Sequence, residues 1–277
     1  MIDSAKSVPG ARHAFDLVAI DVDGTLLNSR GELSADVEAA IREARQQGID
    51  VTLVSGRGRL PLSPWLRRLA IDRPYIGSGG SYIADPVSGE VIAHNPLTRE
   101  NAALIVGLAR AARVGVFFEE PDRLIGEAGG DVMRDIRALA GVEVFQAQDI
   151  LQETSVAPNK IFLVGEHQTL VPIENELRRR NGSLHLTYSE PIYLEITRSG
   201  VNKGSALRQL ADHLGIRLER IAVIGDGGND VSMFEVAGLA VAMGNAAPEV
   251  QAAADVVAPT NDAGSVAWAL RELILRR

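Results

Sequence analysis

Short apolar runs alternate with helix-period stretches along most of the chain. The run FDLVAI over 15–20 reads as a buried strand. The stretch over 35–47 reads as a helix, with Ser34 as N-cap, Asp36 and Glu38 in its first turn and Gly48 as its stop. A strand over 49–54 and a proline-interrupted helix over 60–69 follow. Beyond Gly77-Ser78-Gly79-Gly80, which reads as a hinge, the pattern predicts a hairpin over 81–85 and 90–93. Helices over 100–113, 131–139 and 170–180 then interleave with strands over 114–119, 142–145, 160–164, 184–188 and 193–196. The βα rhythm resumes with helices over 203–214, 230–236, 248–253 and 263–275 around strands over 221–224, 239–242 and 255–257. Such alternation is the mark of βα units on a parallel sheet. The expected organisation is α/β, with a discontinuous core over 1–81 and 191–277 and a second α/β unit over 82–190 inserted into it.

Composition narrows the partners. The 277 residues are enough for two domains, and 46% apolar residues can fill both cores. A net charge of −8, from 28 basic and 36 acidic residues, leaves no basic stripe to replace counterions, so nucleic acid is not an expected partner. There are no cysteines, and the five histidines are scattered without ligand spacing, which points any metal site toward hard oxygen donors. No apolar run approaches the ~18 residues of a membrane span. Residues 1–13 lack the apolar stretch of a secretory signal and read as a loose polar extension, so a cytoplasmic enzyme or binding protein is expected.

The chemistry collects where strands end. After the first strand comes Asp21-Val22-Asp23-Gly24-Thr25, and after the second comes Ser55-Gly56-Arg57. Lys203 opens a helix, and Gly225-Asp226-Gly227-Gly228-Asn229-Asp230 follows the strand over 221–224. Ligands of open α/β sheets bind at the carboxyl ends of strands, so the four blocks are expected to converge. Two carboxylates two residues apart at the end of a buried strand call for a cation, because unpaired charge near a low-dielectric interior is costly. Gly24 and Thr25 turn the chain and offer backbone N–H groups to an anion. A cation and an anion in one pocket suggest magnesium-assisted phosphoryl chemistry.

Residue type assigns the parts. Asp21, first off the strand, is the expected nucleophile, since a carboxylate forms an acyl phosphate without an activating base. Asp23 is the expected general acid, protonating the leaving alkoxide, and then the base for water. Asp226, Asp21 and a backbone carbonyl near Asp23 supply oxygens for Mg²⁺, and Asp230 either orders metal-bound water or anchors Lys203. The expected metal-site residues are thus Asp21, Asp23, Asp226 and Asp230. The ion counters repulsion between carboxylate and phosphate, about 4 kcal/mol per charge pair at 4 Å with an effective dielectric near 20. Lys203 and the Ser55 hydroxyl hold phosphoryl oxygens, where the transition state spreads charge. Asn229 orients a phosphate oxygen, Thr25 and Gly56 line the anion site, and Arg57 either contacts substrate or solvates a helix start.

These blocks, in this order, resemble the motifs of the haloacid dehalogenase-like phosphohydrolases. DVDGTLL is similar to their first motif, SGR to the second, NKG to the third and GDGGND to the fourth. An α/β insertion between the second and third, together with Met243-Gly244-Asn245-Ala246, resembles the Cof-type subgroup. The resemblance spans about residues 14–275. It implies a Rossmann-like doubly wound core, an α/β cap that selects substrate, and Mg²⁺-dependent hydrolysis of a small phosphorylated metabolite, a sugar phosphate or phosphorylated cofactor, through an aspartyl-phosphate. Two departures stand out: Ser55 replaces a common Thr, and Gly79-Gly80 falls where Asn-Gly is common.

Other readings fit less well. A calcium loop starting at Asp21 would need glycine at the position of Leu26. The glycines at 77–80 lack the third glycine of a dinucleotide fingerprint, and Asn202 stands where a P-loop needs glycine. A phosphomutase on the same scaffold would carry the same motifs. A non-catalytic phosphometabolite sensor would have no need of Asp23.

Overall fold

The computed structural model describes residues 14–121, 123–140, 142–154, 156–180, 182 and 184–276, and the extension read at 1–13 lies outside them. The chain opens with β1 (Leu17–Ile20), α1 (Ala35–Gln46), β2 (Asp50–Leu53) and α2 (Arg59–Arg68), then β3 (Tyr75–Gly77), β4 (Tyr82–Ala84) and β5 (Val91–His94). Next come α3 (Arg99–Ala112), β6 (Gly115–Glu119), β7 (Leu124–Glu127), α4 (Gly130–Ala140), β8 (Val144–Gln146) and α5 (Ile150–Glu153). The middle ends with β9 (Lys160–Val164), α6 (His167–Arg180), β10 (Leu184–Glu190) and β11 (Tyr193–Arg198). The last part holds α7 (Lys203–Leu214), β12 (Ile221–Gly225), α8 (Val231–Phe234), β13 (Leu239–Ala242), α9 (Pro248–Ala252), β14 (Val256–Val257) and α10 (Ser265–Ala269).

The first sheet is parallel, in the order β14-β13-β12-β1-β2. Its strands are apolar on both faces because both are covered. Val18, Ile20, Leu53 and Ile224 pack on the side of α1 and α10, while Leu17, Ala19, Ile221 and Val223 pack on the side of α7. This is the parallel βα sheet that the alternation predicts, in the doubly wound form that the resemblance implies. Register then sets the site: Ile20 pairs with both Leu53 and Ile224, so β1, β2 and β12 deliver their polar ends at one level.

The second sheet runs β10-β11-β9-β6-β7-β8, antiparallel except between β7 and β8. One face, with Val116, Phe118, Ile161 and Leu163, joins a core with Ile105 of α3 and Leu170 of α6. Phe117, on the other face, packs with Met133 and Ile136 of α4.

Sheet membership departs from the division read at 82 and 190. The hairpin β4–β5 pairs with β3, and Ile76 and Ile83 pack into the α7 side of the first sheet's core. At the other end β11 sits inside the second sheet, between β10 and β9. A tight turn makes the hairpin look self-contained in sequence, whereas its partner β3 is only three residues long. Two elements, β7 and α5, carry no sequence signal of their own; each is four residues long.

Candidate active site

Asp21 leaves β1 with its N–H donating to the carbonyl of Ile224 at 2.9 Å, so the turn begins locked to β12. The chain doubles back in one wide turn, with Leu26 N–H donating to Asp21 O at 3.2 Å and Gly24 at φ 79°. A side chain at Gly24 would also lie 2.2 Å from Asp226 Oδ2. Gly24→Ala therefore meets two obstacles, a left-handed backbone costing about 1–2 kcal/mol and a collision with a carboxylate. We expect a lower urea midpoint and activity reduced at least about tenfold by the shifted Asp226, and an unchanged variant would contradict this placement.

Below the turn lies a buried charge cluster. Lys203 sits at the start of α7, whose Asn202 cap and Ser205 form a reciprocal capping box. Its side chain is 1% exposed, and Nζ donates to Asp21 Oδ1 at 2.6 Å and to Asp230 Oδ1. Asp230 Oδ2 accepts from the N–H groups of Asp226 and Gly227, at 2.9 and 2.8 Å. Asp230 thus ties Lys203 to the loop after β12. Asp226 Oδ1 accepts from Thr25 Oγ1 at 2.7 Å, so Thr25 holds a carboxylate here.

Asp21, Asp226 and Asp230 offer oxygens that all lie within 4.8 Å of one another. Burial, with Asp230 and Asp226 adding to it, pushes the Asp21 carboxyl well above the usual range despite Lys203. Burial also raises Asp226. For Lys203, burial works against the ammonium, but Asp21 and Asp230 outweigh it and hold its pKa above the ordinary lysine value. Three carboxylates around one ammonium leave the cluster short of positive charge, and a metal ion fits that deficit and that set of hard donors.

The Asp23 carboxylate stands apart from this cluster. Its side chain is 57% exposed and accepts from Arg57 through Nε at 2.7 Å and the second nitrogen at 2.5 Å. Strand geometry ends with β1 and the irregular turn begins at Val22, so Asp21 and Asp23 are not held to one face. Ser55 is buried, with Oγ accepting from Arg57 N–H at 3.1 Å. The glycine stretch read as a hinge braces this loop, since Ser78 N–H donates to Arg57 O and Gly79 N–H to Ser55 O. Asn229 is exposed on the cavity wall.

Above these residues is a cavity of about 620 Å³. Its floor includes Asp21, Asp23, Gly56, Arg57, Asp226 and Asn229; its roof, from the second sheet, includes Glu119, Lys160, Phe162, Tyr193 and Glu195. The roof residues escape a sequence reading because they sit on separate strands and meet only across the sheet. Asn245 escapes it as well, although the loop that carries it is noted; its amide donates to Gly24 O at 2.9 Å and Asp226 Oδ2 at 3.3 Å. Among the described residues no helix is long and apolar enough to cross a membrane.

The class these features define is an α/β enzyme with a parallel-sheet core and a second sheet over its site. The chain belongs to the haloacid dehalogenase-like hydrolases, whose family model matches residues 18–270, and it is a phosphatase of the Cof type that its four blocks resemble. It is 29% identical to the 5-amino-6-(5-phospho-D-ribitylamino)uracil phosphatase YcsE of Bacillus subtilis, over 94% of this chain and 96% of that one. It is 27% identical to the pyridoxal phosphate phosphatase YbhA of Escherichia coli, over 91% and 96%. A haloacid dehalogenase-like hydrolase from Bacteroides thetaiotaomicron superposes with a TM-score of 0.87 at 30% identity, covering 94% of this chain and 99% of the other.

Proposed function

We propose that this phosphatase hydrolyses the phosphate monoester of a small metabolite, with Mg²⁺ as cofactor and Asp21 as nucleophile. The observation that carries this is Asp21 itself, buried at the floor of the cavity with one oxygen held by Lys203. Asp21 attacks phosphorus, the bond from phosphorus to the leaving oxygen breaks, and protonated Asp23 gives its proton to that oxygen. Asp23 then takes a proton from water. The resulting hydroxide attacks the aspartyl-phosphate, and cleavage of the bond between phosphorus and Asp21 frees inorganic phosphate and the carboxylate. Asp21 and Asp226 would hold Mg²⁺, which supplies charge against the repulsion between carboxylate and phosphate dianion. Lys203 fixes the attacking carboxylate, and Ser55, Gly56 and Asn229 bind phosphoryl oxygens. Arg57 exchanges Asp23 for the incoming dianion, which releases the acid toward the leaving group.

The two curated relatives are named for phosphate esters of a ribitylaminouracil and of pyridoxal, compounds of a size that a 620 Å³ cavity accommodates. A sugar phosphate or phosphorylated cofactor is the proposed substrate class. The test is phosphate release over a panel of sugar phosphates, nucleotides and phosphorylated cofactors. We expect turnover with Mg²⁺, abolished by EDTA and restored by added Mg²⁺. No release from any ester, or release indifferent to EDTA, would overturn the reading.

A further inference from the structure

One side chain of the roof reaches down to the catalytic edge. Lys160, the first residue of β9, is buried, and its ammonium donates to the carbonyl oxygen of Gly56 at 2.9 Å. It also pairs with Glu195 of β11 at 3.1 Å. Register supplies a second carboxylate, since Glu119 of β6 lies directly opposite Lys160. Burial alone would depress the ammonium, but Glu195 and Glu119 outweigh it and keep the lysine pKa above its ordinary value, so Lys160 is charged. The Gly56 carbonyl shares a planar peptide unit with the Arg57 N–H, which donates to Ser55 Oγ at 3.1 Å. Fixing the oxygen of that unit therefore fixes the N–H on its other side, and with it the Ser55 hydroxyl.

We propose that Lys160 is a positioning residue through which the cap sets the phosphate-binding loop: its hold on Gly56 orients the Ser55–Arg57 segment to receive a phosphoryl group. The proposal rests on the reading of Ser55 and Gly56 as phosphate-binding. Coupling of this kind is reciprocal, so a phosphoryl group in the loop also favours the seated cap. Because Lys160 acts on the loop, its removal weakens all esters alike, together with free phosphate.

Lys160→Met tests this, with inorganic phosphate as competitive inhibitor and kcat/KM measured for several esters. Loss of a charged hydrogen bond predicts phosphate inhibition weakened about tenfold to hundredfold, a matching fall in kcat/KM for each ester, and an unchanged preference among esters. Lys160→Arg, which keeps charge and donors, recovers most of both constants. An unchanged phosphate inhibition constant in folded Lys160→Met overturns the proposal, whatever the change in melting temperature. So does an effect confined to some esters, which would make Lys160 a contact to the leaving group. If Lys160→Met does not fold, Glu195→Gln is read by the same phosphate constant, and no change there is equally fatal. The reading of the site fails differently, when the wild type releases no phosphate or Asp21→Asn stays active.

Discussion

Asp21→Asn abolishes phosphate release, lowering kcat by about four orders of magnitude or more, because the amide cannot form the acyl phosphate. Three features make this change a clean probe. The amide matches the carboxylate in size within a fully packed strand end, and its oxygen still accepts from Lys203 Nζ, now 2.6 Å away. It also removes one of three crowded carboxylates, a group that burial disfavours as an anion. The variant's melting temperature without metal is therefore expected to equal or exceed that of the wild type, while turnover disappears. Single-turnover assays should show no alcohol release. Activity within tenfold of the wild type would exclude Asp21 as nucleophile and reopen the possibility of direct attack by water.

Much of this arrangement is written locally. The core strands are apolar runs because both faces of the sheet are covered, and their ends are legible because a run of Leu, Val and Ile stops abruptly at Asp, Ser or Gly. Lys203 is legible from its place just inside a helix capped by Asn202, and Asp230 from a glycine-rich strand end. The roles of paired residues are less so. Arg57 and Asp23 are 34 positions apart, and the irregular turn that begins at Val22 leaves the Asp23 carboxylate on the guanidinium rather than in the carboxylate cluster. Lys160 and Gly56 are 104 apart, one opening a strand of the second sheet and the other in the loop after β2, so nothing near either residue announces the other. The same holds for the hairpin β4–β5: its strand pattern is visible, but the surface it packs against belongs to α7, more than a hundred residues later. Sequence periodicity reports which face a residue takes and is silent on which sheet will meet that face.

Lys203→Met should damage the fold as well as catalysis. In the wild type a single ammonium, 1% exposed, lies between Asp21 and Asp230. Methionine fills similar volume but leaves both carboxylates buried without their cation, which costs about 3–5 kcal/mol when one partner of a buried pair is removed. For a chain of this size that corresponds to a melting temperature lower by about 10 °C. The loss should shrink as Mg²⁺ is added, since an ion that binds the folded carboxylates stabilises them by mass action. Activity should not return with it. Magnesium can balance charge, but Asp21 would lose the donor that fixes its attacking oxygen, and Asp230 the donor that ties α7 to the loop after β12. We expect kcat reduced by about a thousandfold at saturating Mg²⁺, from the misplaced nucleophile and the missing charge at the phosphoryl group. Thermal unfolding with and without Mg²⁺, alongside kcat, separates the two effects: recovery of both by the ion would show that Lys203 serves only to balance charge.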